Sequence, residues 1–178
     1  MTDNYITGVG YTTLSSQLMS VDFRERQATQ KEKVEMWFIE PLKRMKEDDG
    51  FACLMICFPI LEAIMHYELE IPDDQELPFS DNSPALHWFA KFMTIPDRQA
   101  RDVWSAFRHG LLHRAMIKSD MPYDLTGEIK GRPAEFAVDR IIIYVWDLRN
   151  AVVAKLEQHH SKLWKSIAYP LPAIRITA

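Results

Sequence analysis

Cysteine is scarce in this chain: Cys53 and Cys57 are the only two in 178 residues. They stand four apart in the apolar stretch FACLMICF, which has helical length, so on one helix they share a face and serve as small core residues. With no third cysteine to complete a zinc site, and no dense cysteine framework, the usage suits a reducing compartment. Excess positive charge is also missing. The formal net charge is −4 at pH 7, so the chain has no overall attraction to nucleic acid, although a local basic cleft is not excluded. No basic segment followed by an apolar core opens the sequence, as a secretory signal would. The longest apolar run, FACLMICFPILEAIM, is broken by Glu62 and is short for a bilayer span. These absences lead to the expectation of a cytoplasmic protein with no membrane association.

Familiar catalytic signatures are lacking too. There is no glycine-rich phosphate loop, no dinucleotide-binding fingerprint and no serine in a nucleophile elbow. His109 and His113 have the i, i+4 spacing that ligates zinc from one helix face, but GLL between them lacks a metalloprotease glutamate. His159 and His160 are adjacent and point apart on a helix, beside Gln158 and Ser161, as on a solvated face. Neither a metal site nor a cofactor is expected.

What is present is apolar. Residues of the set AVILMFWYC make up 47% of the chain, enough for one domain with a real core. Residues 1–29 lack helical periodicity and are read as an N-terminal arm or short strand. Thr29 and Glu32 have the capping-box spacing, and Val34, Trp37, Phe38, Leu42 and Met45 then form one stripe, with a bend expected at Pro41. A second helix is expected from about Phe51 to Leu69, apolar on most sides, central, and kinked at Pro59. Near its end Glu62 and His66 are four apart. They either pair on the surface or support a site. EIPDDQELPFSDNSP is a loop. Helices are then expected from Pro84 to Met93 and from about Asp97 to about Met116.

MPYDLTGEIKGRPAEFAVD carries turn residues and short alternating pieces, as in a small β-hairpin or flap. A long last helix is expected from Asp139 to about Ile167, with Ile142, Val145, Trp146, Val152, Val153 and Leu156 facing inward. The segment 168–178 is an extended tail, its two prolines excluding helix. The expected fold is therefore all-α: an up-and-down bundle of four to five helices over residues 30–167, with a small β-hairpin-like insertion.

Within it, AFRHGLLHRAM is unusual for a helix. It crowds Arg108, His109, His113 and Arg114 around Leu111 and Leu112. Either it is an amphipathic helix with an odd polar face, or it presents arginine and histidine to an anion. At about 100° per residue, Arg108 and His113 lie roughly 140° apart. They converge only through the length of Arg108, or where two helices or two subunits meet. Gly110 costs about 1 kcal/mol of helix propensity against alanine and suits close approach of another backbone. The segment from Arg98 to Lys118 is +4, a local reversal of sign that favours an anionic substrate.

RHGLLH, Arg108 to His113, resembles the Arg-x4–6-His motif of the HEPN superfamily, the higher eukaryote and prokaryote nucleotide-binding domains. There a polar residue follows the arginine, as His109 does here. The order of long apolar helices, motif helix, β-like insertion and final helix is similar as well. The resemblance implies a helical bundle that dimerises, and in many members a metal-independent ribonuclease. It implies His113 as general acid or base, Arg108 as holder of the phosphate and His109 in support. Arg114 and Lys118 would bind the substrate backbone. It also implies a homodimeric site acting on RNA, and allows a regulating protein partner and a defence or toxin–antitoxin setting. Inactive members serve as interaction modules, so a non-catalytic dimerisation module is the alternative.

Overall fold

The computed structural model describes residues 25–110, 122–164, 171–172 and 175–177. Strand β1 (Glu25–Gln27) leads into α1 (Gln30–Val34), which opens on the expected capping box. The Glu32 amide donates to Thr29 Oγ1 at 3.3 Å, and the Thr29 amide donates to Glu32 Oε2 at 2.8 Å. The bend expected at Pro41 takes the form of a wide π turn, Glu35–Ile39, before α2 (Glu40–Arg44). Proline supplies no amide and crowds the preceding turn, and widening that turn gives the ring room. The extra residue shifts the stripe: Val34, Ile39 and Leu42 are buried, whereas Trp37 and Phe38 are only half-buried.

A 3-10 turn (Glu47–Asp49) precedes α3 (Gly50–Glu68), which continues through Pro59. Cys53, Leu54, Cys57, Phe58, Ile60, Leu61, Ile64 and Met65 on it are all at most 1% exposed, which places α3 at the centre. Together with its 3-10 turn it is the one candidate membrane span among the described residues, with a mean hydropathy of 1.6 over an 18-residue window. The core it fills accounts for that apolarity.

The expected helix Pro84–Met93 is α4, started by Ser83, whose hydroxyl accepts from the Leu86 amide. Thr94 closes it in the left-handed region (φ 59°), costly for a β-branched residue, and its hydroxyl reaches the Ala134 carbonyl at 3.2 Å. Helix α5 (Asp97–Trp104) runs into a second π turn, Ser105–His109, which ends at buried Gly110. The expected continuation to Met116 lies outside the described residues.

A sheet in the C-terminal half overturns the all-α expectation. Strands β2 (Tyr123–Thr126), β3 (Ala134–Ala137) and β4 (Arg140–Tyr144) form a mixed three-stranded sheet in the order β2-β4-β3. The expected pieces YDL and EFAV both form strands but do not pair with each other: β4 lies between them, antiparallel to β3 and parallel to β2. The last helix therefore begins at Val145, not Asp139, and runs to His159 as α6. The reason lies in RIIIY: three consecutive β-branched residues suit a pleated strand, and a short apolar run has no period that distinguishes strand from helix. Ile141 and Ile143 are buried and Ile142 between them is less so, the alternation of a strand. Asp147, in the first turn of α6, accepts from the Lys130 and Gly131 amides and so holds the β2–β3 connection.

Strand β5 (Arg175–Thr177) pairs antiparallel with β1, bringing parts of the arm and the tail together. The core joins all layers. Phe58 stacks on Phe107 at 5.2 Å, Phe107 meets Tyr123 of the sheet edge-on at 5.1 Å, and Val152 and Leu156 of α6 are fully buried.

Candidate functional site

Arg108 lies in the second π turn, immediately after Phe107. Phe58 and Glu62 share one face of α3, a single turn apart. The Phe58–Phe107 stack therefore sets the register that brings Arg108 to Glu62. Arg108 Nε donates to Glu62 Oε2 at 3.2 Å and Nη2 donates to Oε1 at 2.8 Å. This is the two-pronged pairing for which guanidinium and carboxylate are matched. The side chains are 25% and 23% exposed, so the pair is shielded but reachable. Arg108 also stands in a π turn, and single π turns inside helices are frequent at functional sites.

The pair forms one wall of a cleft of about 330 Å³. The α3–α4 connection also lines it, with Glu76, Pro78 and Ser80 exposed. Phe79 also lines the cleft. It lies flat on Trp104, with centroids 4.3 Å apart and planes 2° apart, so its ring is fixed. Asp81 of the same connection pairs with Arg101. Part of the basic character expected of the motif segment is thus met by carboxylates of the acidic loop.

The structure brings Arg108 and Glu62 together and does not form the Glu62–His66 pair considered from spacing. His66 is buried, and its Nδ1 lies 3.2 Å from the Ile71 carbonyl, to which it donates. His109 is in the π turn, but its side chain, along with His113, Arg114 and Lys118, lies outside the described residues. Spacing along the chain does not reveal the partnership of Arg108 with Glu62, because it spans 46 positions. Its one signal is an acidic residue inside the apolar run FACLMICFPILEAIM.

A second polar cluster corrects the reading of His159. That residue is 9% exposed, not solvated. Glu68 Oε1 accepts from His159 Nε2 at 2.8 Å and from Lys155 Nζ at 2.6 Å, and Oε2 accepts from Trp88 Nε1 at 2.7 Å. Burial pushes the Glu68 carboxyl pKa up. Hydrogen bonds from Lys155, Trp88 and His159, with the Lys155 charge, outweigh it and hold the pKa below the ordinary carboxylate value. This cluster ties α3, α4 and α6 together.

Cys53 and Cys57 are fully buried, as expected of core residues, with their sulfurs 3.9 Å apart. Among the described residues no group of three or more histidine, cysteine or acidic side chains is arranged to hold a metal ion. A wider hollow of about 500 Å³ lies by Met45, Trp146 and Arg149. Arg149 is committed there: it rests on the Trp146 ring at 4.8 Å and donates to the Met45 carbonyl.

Comparison with protein-family models, with curated proteins and with solved structures gives no match.

Proposed function

We propose that this chain is a HEPN-like, metal-independent endoribonuclease that cleaves RNA by attack of the ribose 2′-hydroxyl. The observation that carries the reading is the bidentate Glu62–Arg108 pair on the wall of a cleft. A guanidinium has five N–H bonds, and this pairing uses Nε and Nη2 while leaving Nη1 out. Glu62 thus orients Arg108 and leaves donors for a phosphate oxygen, so that they meet charge as it develops in the transition state.

In the proposed reaction the 2′-oxygen bonds to phosphorus and the bond from phosphorus to the 5′-oxygen breaks. A base takes the 2′-hydroxyl proton and an acid returns one to the leaving 5′-oxygen. The products are a 2′,3′-cyclic phosphate and a 5′-hydroxyl. His113 is the acid or base, suited by a side chain that titrates near neutrality. His109 supports the pair, and Arg114 and Lys118 hold the flanking backbone. A second copy of the chain in a homodimer supplies the other acid or base. The setting is the cytoplasm, with a regulating protein as a further partner.

One observation favours the second reading, a non-catalytic dimerisation module: the Glu62 carboxylate neutralises the charge of Arg108. Incubation of the full chain with single-stranded RNA in EDTA decides. The nuclease reading expects cleavage, with Arg108→Ala and His113→Ala each inactive while folded and dimeric. Cleavage by either variant at the wild-type rate overturns the catalytic roles. Intact RNA, with the variants monomeric, establishes the interaction module.

A further inference from the structure

We propose that the cleft beside Arg108 is a base-reading subsite that selects guanine next to the phosphate held by the arginine. It rests on the reading of Arg108 as a phosphate holder and adds the substrate preference. Among the described residues, the charged side chains lining the cleft are Glu62, Glu76 and Arg108. With two carboxylates and one guanidinium on its lining, the cleft holds one phosphodiester at Arg108 and disfavours a second phosphate inside it. The part of the substrate that enters the cleft is then an uncharged group rich in hydrogen-bond donors.

Glu62 is occupied by Arg108, whereas Glu76 also lines the cleft, is exposed and forms no ion pair among the described residues. A carboxylate offers two acceptor oxygens and no donor at neutral pH. Among the RNA bases, guanine alone presents two parallel donors, N1–H and the N2 amino group, on its Watson–Crick edge. Adenine and cytosine present one amino donor beside a ring-nitrogen acceptor, which would face a carboxylate oxygen with lone pair against lone pair. Phe79 supplies an aromatic wall, held in place by Trp104, of the kind on which unstacked RNA bases pack. The Ser80 hydroxyl, which donates or accepts, completes the polar rim. A volume of about 330 Å³ accommodates one nucleoside and excludes a duplex.

The test is calorimetric titration of the full chain with the 3′-monophosphates of guanosine, adenosine, cytidine and uridine, none of which can be cleaved. A bidentate base contact discriminates by roughly 5- to 150-fold, so 3′-GMP is expected to bind at least about fivefold more tightly than the other three. Glu76→Gln brings the four within about threefold of one another, because an amide can no longer accept twice. Phe79→Leu, which keeps an apolar group over Trp104, weakens all four alike. Equal binding of the four nucleotides, no binding by any of them, or a guanine preference that survives Glu76→Gln overturns the subsite. Cleavage is scored separately on mixed-sequence RNA. A guanine preference in binding with no cleavage supports the subsite and removes the nuclease reading. Cleavage without any preference for guanine removes the subsite and leaves the nuclease reading standing.

Discussion

Helix α3 carries two carboxylates, Glu62 and Glu68, and the molecule treats them differently. Glu68 is enclosed by Lys155, His159 and Trp88, drawn from two other helices, and both its oxygens are engaged. Among the described residues Glu62 pairs with Arg108 alone, and the pair borders an open cleft. Residue types alone do not separate the two, since each is an acid facing a base across a helix interface. Saturation of the carboxylate does not separate them either, since both Glu62 oxygens are engaged; the difference is that Arg108 borders a cleft with Nη1 outside the pairing. A polar cluster whose acceptors are all engaged locks elements together, whereas an ion pair at a cleft with N–H bonds to spare can receive a ligand.

The strongest break of this contrast is Arg108→Ala. It is expected to lower RNA cleavage by at least about a hundredfold, the scale on which a lost transition-state donor acts. Glu68→Ala leaves the cleavage rate near wild type. It is expected to cost about 2–3 kcal/mol of stability, read by urea denaturation, because Lys155 and His159 lose a shared acceptor inside the structure. If Glu68→Ala abolishes cleavage in a protein of unchanged stability, the division between the two carboxylates fails. Glu62→Gln is expected to reduce cleavage about tenfold and stability by about 1 kcal/mol, since the amide keeps one acceptor for Arg108 but loses the charge.

The smallest expected effect is in pH dependence. The folded-state pKa of Glu68 is depressed, so its contribution is present above the unfolded carboxylate value of about 4.3. It is lost as pH falls through the lower folded value. Stability of the wild type should therefore decline below about pH 5 more steeply than that of Glu68→Gln. Identical slopes would show that the cluster does not favour the ionised form.

Much of the scaffold is legible locally. The Thr29–Glu32 box, the Ser83-Pro84 start of α4 and the apolar run of α3 all act within a turn or two of chain, where propensity and capping operate. RIIIY is too short for its period to separate strand from helix, and what decides is the neighbouring AEFA and YDLT segments, which supply ladder partners. Neither π turn has a local signature, although Pro41 marks the place of the first. At the site, Arg108 stands out by composition, but its partner Glu62 is selected by the packing of Phe58 on Phe107. The burial of His159 is likewise invisible beside His160, because Glu68 comes from 91 positions away.

The most direct test of the nuclease reading is end-group analysis of RNA incubated with the full chain in EDTA. Attack by the 2′-hydroxyl predicts fragments ending in 2′,3′-cyclic phosphate and beginning with a 5′-hydroxyl. Intact RNA, or fragments with 3′-hydroxyl and 5′-phosphate ends, would contradict it.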